Sequence, residues 1–166
     1  MPLLKAGEIV ADPWVTVADG AEIPAASPVI VSQERWLERA KELAGRNAPI
    51  GIRLKSHQSP AAIAEDLHRF SLVALEFPHF KDGRAYSYAR LLRERYGFKG
   101  EIRAVGNVLR DQYLFMIRCG FDAFELRDGE QPAEWRKHAE AFSVFYQPAT
   151  DRRPTVLELR HPKAAE

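Results

Sequence analysis

The stretch Phe77–Gly106, FPHFKDGRAYSYARLLRERYGFKGEIRAVG, holds seven Lys and Arg residues and one His against three carboxylates, in a chain of 166 residues whose formal charge is only +1. The chemistry that suits such a stretch is the holding of an oxyanion. Asp82–Gly83 signals a turn after an apolar run, and Arg84, Tyr86 and Ser87 then open a helix. A strand end, a Gly turn and a helix start bring free backbone N–H groups and the positive end of a helix dipole to one point. The planar fork of Arg matches an oxyanion. A second polar junction follows at Gly106–Asn107 and Arg110–Asp111–Gln112. Arg84, Tyr86, Ser87, Asn107 and Arg110 are therefore the anion-binding candidates, with Arg103 and Glu125 beneath them. Glu76 and Asp111 are the candidates for acid or base. From Lys81 to Arg118 there are nine basic and four acidic residues, an excess of five that would attract anions. In the competing reading Asp82 caps the helix and Arg84 is solvated. Arg90, Arg93 and Arg95, further along the helix, read as its wet outer face.

Other chemistry is excluded by what the sequence lacks. It has neither GxxxxGK[ST] nor GxGxxG, so neither a P-loop nor a dinucleotide fingerprint is present. Its single cysteine, Cys119, cannot form a thiol pair or ligate a four-thiolate cluster. That residue falls at a predicted helix C-terminus, where a packed, inert thiol is the expectation. His57, His68, His79, His138 and His161 show no metal-ligand spacing, and only His79 lies beside the proposed site. No metal and no cofactor are expected. Near-neutral charge argues against a nucleic-acid binder, and RLLRERYG lacks interleaved exposed aromatics. No apolar run approaches the roughly 18–20 residues of a membrane helix, and the N-terminus lacks a signal-peptide pattern. The expectation is a cytoplasmic protein without an internal disulfide.

The elements that must position these residues follow a rhythm. Strands are predicted at 29–31, 50–54, 72–77, 101–105, 123–126 and 143–146, with helices near 33–44, 60–69, 86–96, 109–119 and 132–141. Ser59–Pro60 suits an N-cap followed by Pro in the first turn, and Gln131–Pro132 suggests a similar start. Gly45, Gly97 and Gly120 fall where helix C-caps belong. Arg95-Tyr-Gly-Phe98 and Arg118-Cys-Gly-Phe121 repeat one helix-to-strand turn, with Gly left-handed and Phe packed back. Alternation at this spacing predicts βαβ units and a mainly parallel sheet in a single α/β domain. Residues 1–27 read as a small N-terminal β arm, 28–147 as the βα core and 148–166 as a polar tail, in which 155–159 would add a strand or a partner contact.

Four successive predicted strands each carry a charge: Arg53, Glu76, Arg103 and Glu125. Under helices on both faces of an open doubly wound sheet these charges would be expensive. In a partial or irregular β/α barrel one face looks into a common interior, where polar residues build sites. The barrel-like arrangement is favoured, with the open parallel sheet as the alternative. Alternating Arg, Glu, Arg, Glu would also pair across neighbours.

The motifs EFPHFKDGRAYS, LLRERYGFKGEIRAVGNVLRDQ and RCGFDAFEL resemble a bacterial family of unknown function. Its members are described as oxidoreductases of sulfite reduction because their genes sit beside that of sulfite reductase. One departure is Asn107, where the family is expected to favour Asp. The resemblance implies an accessory, oxidoreductase-associated protein of assimilatory sulfite reduction that binds a sulfite- or sulfate-like oxyanion and docks on sulfite reductase. The alternatives are a barrel-like enzyme acting on a small sulfur- or phosphorus-containing anion, and a non-catalytic domain that forms homo-oligomers through its arm or tail.

Overall fold

The computed structural model describes residues 1–161; the last five residues of the predicted polar tail lie outside the described residues. Eight strands form one sheet: β1 (Leu3–Lys5), β2 (Glu8–Val10), β3 (Val15–Thr16), β4 (Val29–Ser32), β5 (Ile50–Leu54), β6 (Leu72–Phe77), β7 (Glu101–Gly106) and β8 (Ala123–Glu125). Their order is β2-β1-β8-β7-β6-β5-β4-β3, and the sheet curls into a half-barrel. Strands β3 to β8 run parallel, while the β1–β2 hairpin adds antiparallel to β8.

Connectivity explains the curl. Strands β2 and β3 lie at opposite edges of the sheet, yet only Ala11–Trp14 separate them in sequence. Five residue steps from Val10 to Val15 reach at most about 18 Å. Eight strands laid flat at about 4.8 Å spacing would put the edges about 34 Å apart. The sheet must bend until a four-residue strap crosses its open face. Room for the bend comes from Gly51 on that face, where a Cβ would meet Leu72 and Ile30 at 3.1–3.3 Å.

The two faces of the sheet differ in kind. Val29, Val31, Ile52, Leu54, Val73, Leu75, Phe77, Ile102, Ala104 and Phe124 point to the outer face. There they meet the helices α1 (Gln33–Ala44), α2 (Arg84–Arg90), α3 (Tyr113–Cys119) and α4 (Pro132–Ala139), together with a 3₁₀ segment over Pro60–Arg69. Trp36 is fully buried in this layer, edge-on to Phe70 at 4.6 Å, and its indole N–H donates to Asp66. Aromatic pairs of this kind add about 0.5–1.5 kcal/mol beyond burial. On the concave face Ile30, Leu72, Ala74 and Val105 form a smaller cluster under Trp14 of the strap. The helices whose side chains enter the core thus sit on one side only, which rules out the doubly wound alternative.

Local signals explain most boundaries. Ser32 caps α1 by accepting from the Arg35 amide, and Ser59 caps the Pro60–Arg69 segment by accepting from the Ala61 amide. Gly97 and Gly120 are left-handed, with φ of 63° and 104°, and Phe98 and Phe121 pack back into the core. Gly45 also ends its helix but stays right-handed at φ −80°. Two expected strands do not form. Residues 143–146 form no strand; only Phe145 bridges to Thr155, because Val144 and Tyr146 find no sheet edge and stay exposed. Residues 155–159 do not extend the sheet but start a short helix, α5 (Val156–Arg160), held by a capping box between Thr155 and Glu158. The expected small N-terminal strands are present: β1 and β2 form a hairpin, and β1, β2 and β3 join the main sheet.

Candidate functional site

The charged strand residues meet on the concave face. Registers Arg53↔Ala74, Ala74↔Arg103 and Glu76↔Val105 put Arg53, Glu76 and Arg103 on one side of the sheet, and Ala123↔Arg103 adds Glu125. They pair as the alternation suggested: Arg53 with Glu76 at 3.1 Å and Arg103 with Glu125 at 3.6 Å. Arg103 is 1% exposed and has further partners. Its Nε donates to Glu101 at 2.8 Å, while Nη1 and Nη2 donate to the two carboxylate oxygens of Asp12 at 2.7 and 3.0 Å. Lys5 donates in turn to Glu101 at 2.6 Å. Partial burial pushes the Asp12 carboxyl up. The hydrogen bonds from Arg103 and the Trp14 amide, with the charges of Arg103 and Lys5, outweigh it and leave the group below its ordinary value.

At the C-terminal rim, Arg84 is half-exposed but fixed. Its Nε and Nη2 grip Asp82 at 2.9 and 2.6 Å, and Nη2 also donates to Ser56 at 3.0 Å. Asp82 is buried, and the Arg84 hydrogen bonds hold its carboxyl below the usual range. Its Oδ1 also accepts from the Arg84 amide, but the residue at the N-cap is Gly83. Beside this group Lys55 donates to Glu34 at 2.7 Å and holds that carboxyl down to about 2, with the Glu34 amide assisting. Ser32 donates to Asp19 at 2.6 Å.

The candidates from the sequence therefore divide. Glu76 and Arg103 lie on the concave face, and Arg84 joins the β5–β6 rim through Ser56. Tyr86 turns the other way, onto Phe77 in the helix layer at 5.3 Å, where burial raises its hydroxyl pKa and Cys119 and Asp111 add to the shift. Ser87 and Asp111 are exposed. Asn107 accepts from Arg127, and Arg110 lies 3.8 Å from Glu134. These residues do not converge on one point.

Four of the basic residues of the opening stretch are answered by carboxylates in space. Arg84 has Asp82, Arg90 has Glu94, Arg93 has Asp122, and Arg103 has Asp12, Glu101 and Glu125. Arg93 is not on a wet face: it donates to the carbonyls of Phe98, Gly100 and Gly120 and so ties together the two Gly-Phe turns. Sequence reasoning missed Asp12, Lys5 and Ser56. Asp12 stands 91 residues from Arg103, and nothing local marks it as a partner. Burial raises the Cys119 thiol pKa, as expected of a packed thiol. Among the described residues no group of three or more His, Cys, Asp or Glu side chains could hold a metal ion, and no helix is long and apolar enough to cross a membrane. A groove of about 790 Å³ near the C-terminal tail, lined by Arg152, Arg153, Leu157 and His161 among others, contains none of the candidates.

Fold and site define a half-barrel α/β protein with an ionic concave floor and an arginine fixed at its rim. Residues 51–157 match the bacterial protein of unknown function family DUF934, and the chain belongs to that family. Neither curated proteins nor solved structures gave a match.

Proposed function

We propose that this protein is an accessory protein of assimilatory sulfite reduction that holds a small oxyanion of the sulfite or sulfate kind at the mouth of the half-barrel. The observation that carries this reading is Arg84. Its guanidinium is clamped by buried Asp82 and by Ser56 through Nε and Nη2, and Nη1 has no protein partner among the described residues. A half-exposed arginine locked in this way meets an anion without first losing side-chain freedom. Arg53, turned toward Glu76 on the adjoining strand, adds a second cation to the same mouth. The link to sulfite reduction rests on the resemblance of the motifs around Arg84, and docking on sulfite reductase belongs to the same proposal.

Isothermal titration with sulfite, sulfate and phosphate at low salt tests it. The wild type should bind at least one of these anions, and Arg84→Lys, which keeps the charge but loses the fork, should weaken binding by about tenfold or more. No binding by the folded wild type, or equal binding by Arg84→Lys, would refute the reading.

A further inference from the structure

The strap Ala11–Trp14 does more than join two strands. It crosses the concave face from Val10, level with the C-terminal end of β8, to Val15, level with the start of β4. Midway, Asp12 meets Arg103 fork to fork, and two residues later Trp14 lies over Ile30, Leu72, Ala74 and Val105.

Without Asp12 the floor is already balanced. Lys5 and Arg103 supply two positive charges, and Glu101 and Glu125 supply two negative ones. A buried arginine needs a compensating carboxylate, and Glu101 and Glu125 provide that. Asp12 is a third carboxylate on the same guanidinium, and it comes from outside the floor. It occupies the Nη1–Nη2 edge, the edge that recognises a planar or tetrahedral oxyanion by two parallel hydrogen bonds. The segment carrying it is lightly held. Ala11, Asp12 and Pro13 are exposed, and the strands flanking them are edge strands of three and two residues. Short edges with few buried contacts belong to the low-stability end of a fold.

We infer that the concave face is an oxyanion site on Arg103 whose occupant here is the chain's own Asp12, and that an incoming oxyanion binds there by displacing the strap. This rests on the oxyanion reading above and adds to it a second contact and a regulatory one. The strap is an internal competitor: it lowers apparent affinity by the fraction of molecules in which it is closed.

The test compares wild type, Asp12→Asn and Asp12→Asn/Arg103→Lys by titration with sulfate and sulfite at low salt. Asp12→Asn should bind about tenfold tighter or better, because the neutral side chain no longer competes for the fork. The double variant should lose the gain. Arg103 keeps Glu101 and Glu125 in Asp12→Asn, so the variant should fold. A second readout needs no variant. Trp36 and Trp135 are fully buried whereas Trp14 is partly exposed, so acrylamide quenching of tryptophan fluorescence reports the strap. Saturating sulfate should increase quenching of the wild type. If wild-type binding depends on Arg84 but Asp12→Asn binds no tighter, or sulfate leaves quenching unchanged, the strap inference falls and the oxyanion reading stands. If neither the wild type nor Asp12→Asn binds either anion, both fall.

Discussion

Replacing Arg103 with Met should be among the most damaging single changes available to this chain. The guanidinium is 1% exposed and makes three hydrogen bonds, at 2.7, 2.8 and 3.0 Å, to Asp12 and Glu101, with Glu125 at 3.6 Å. Met fills part of the volume but leaves three carboxylates facing one another with only Lys5 among them. Removing one partner of a buried ionic cluster costs about 3–5 kcal/mol. Asp12 retains some contact with water, so the low end, about 3 kcal/mol, is the expectation. Against a total stability of about 5–15 kcal/mol this is a large fraction. At about 2–4 °C per kcal/mol for a chain of this size, the melting temperature should fall by roughly 10 °C. Urea denaturation followed by circular dichroism at pH 7 and again near pH 4 checks both size and sign. In the wild type the depressed Asp12 carboxyl contributes stability that is present above the ordinary Asp value and is lost as pH falls through the depressed one. In Arg103→Met that contribution is gone and mutual repulsion favours protonation, so acid stabilises the variant relative to the wild type. The gap should narrow toward pH 4. Adding Asp12→Asn and Glu125→Gln to Arg103→Met should recover much of the loss. A loss under about 1 kcal/mol at pH 7, or a gap that widens in acid, would refute the view of Arg103 as the keystone of the concave floor.

Two further outcomes follow from the same geometry. Gly106→Ala should cost about 2 kcal/mol or more, read as a shift of the urea midpoint: φ is 90° there, and an added Cβ would stand 2.6 Å from the Phe77 carbonyl oxygen. A midpoint within error of wild type would mean that the β6 and β7 ends separate easily. The Glu34 carboxyl should titrate near 2 in a carboxylate NMR experiment and move up toward the ordinary value of about 4.3 in Lys55→Gln; an ordinary value in the wild type would show that the rim pair is open in solution.

Local chemistry was legible in the sequence, and long-range pairing was not. The four core strands β4–β7 and the span of α1 follow directly from apolar runs, N-cap residues and Gly turns, because those signals act over a few residues. The half-barrel was legible for a different reason: charges on successive strands are tolerable only where one face escapes the helices. Residues 143–146 misled because an apolar–aromatic run looks like a strand whether or not a sheet edge awaits it. The candidate site was legible only in part. Arg84 was read from strand-to-helix logic and Glu76 from the charges on successive strands, but Tyr86 was assigned by its position in the first helical turn, and the helix rotates that position into the core beside Phe77.

The basic stretch shows why a count of charge along the chain is a poor guide to a charged surface. Arg84 and Arg90 are answered from within the stretch by Asp82 and Glu94, while Arg93 and Arg103 draw on Asp122 from the turn before β8, Asp12 from the strap and Glu125 from β8 itself, which lie outside it. What survives is not an excess of charge but a difference in how tightly each arginine is enclosed. Arg93 spends its donors on backbone carbonyls and cannot serve a ligand without opening two turns. Arg84 is half-exposed, and its Nη1 has no partner among the described residues. Arg103 lies between them: it is enclosed, but one of its three carboxylates is carried by an exposed strap. The match to the family spans Arg53, Glu76, Arg84 and Arg103 but begins at residue 51, so the strap carrying Asp12 lies outside the matched stretch. Lys5, which completes the charge balance of the floor, lies outside that stretch as well, so the N-terminal segment supplies both a floor cation and the strap. A strap that places a carboxylate on an already balanced floor is what an internal competitor requires. A purely structural strap would need only the apolar cover that Trp14 supplies.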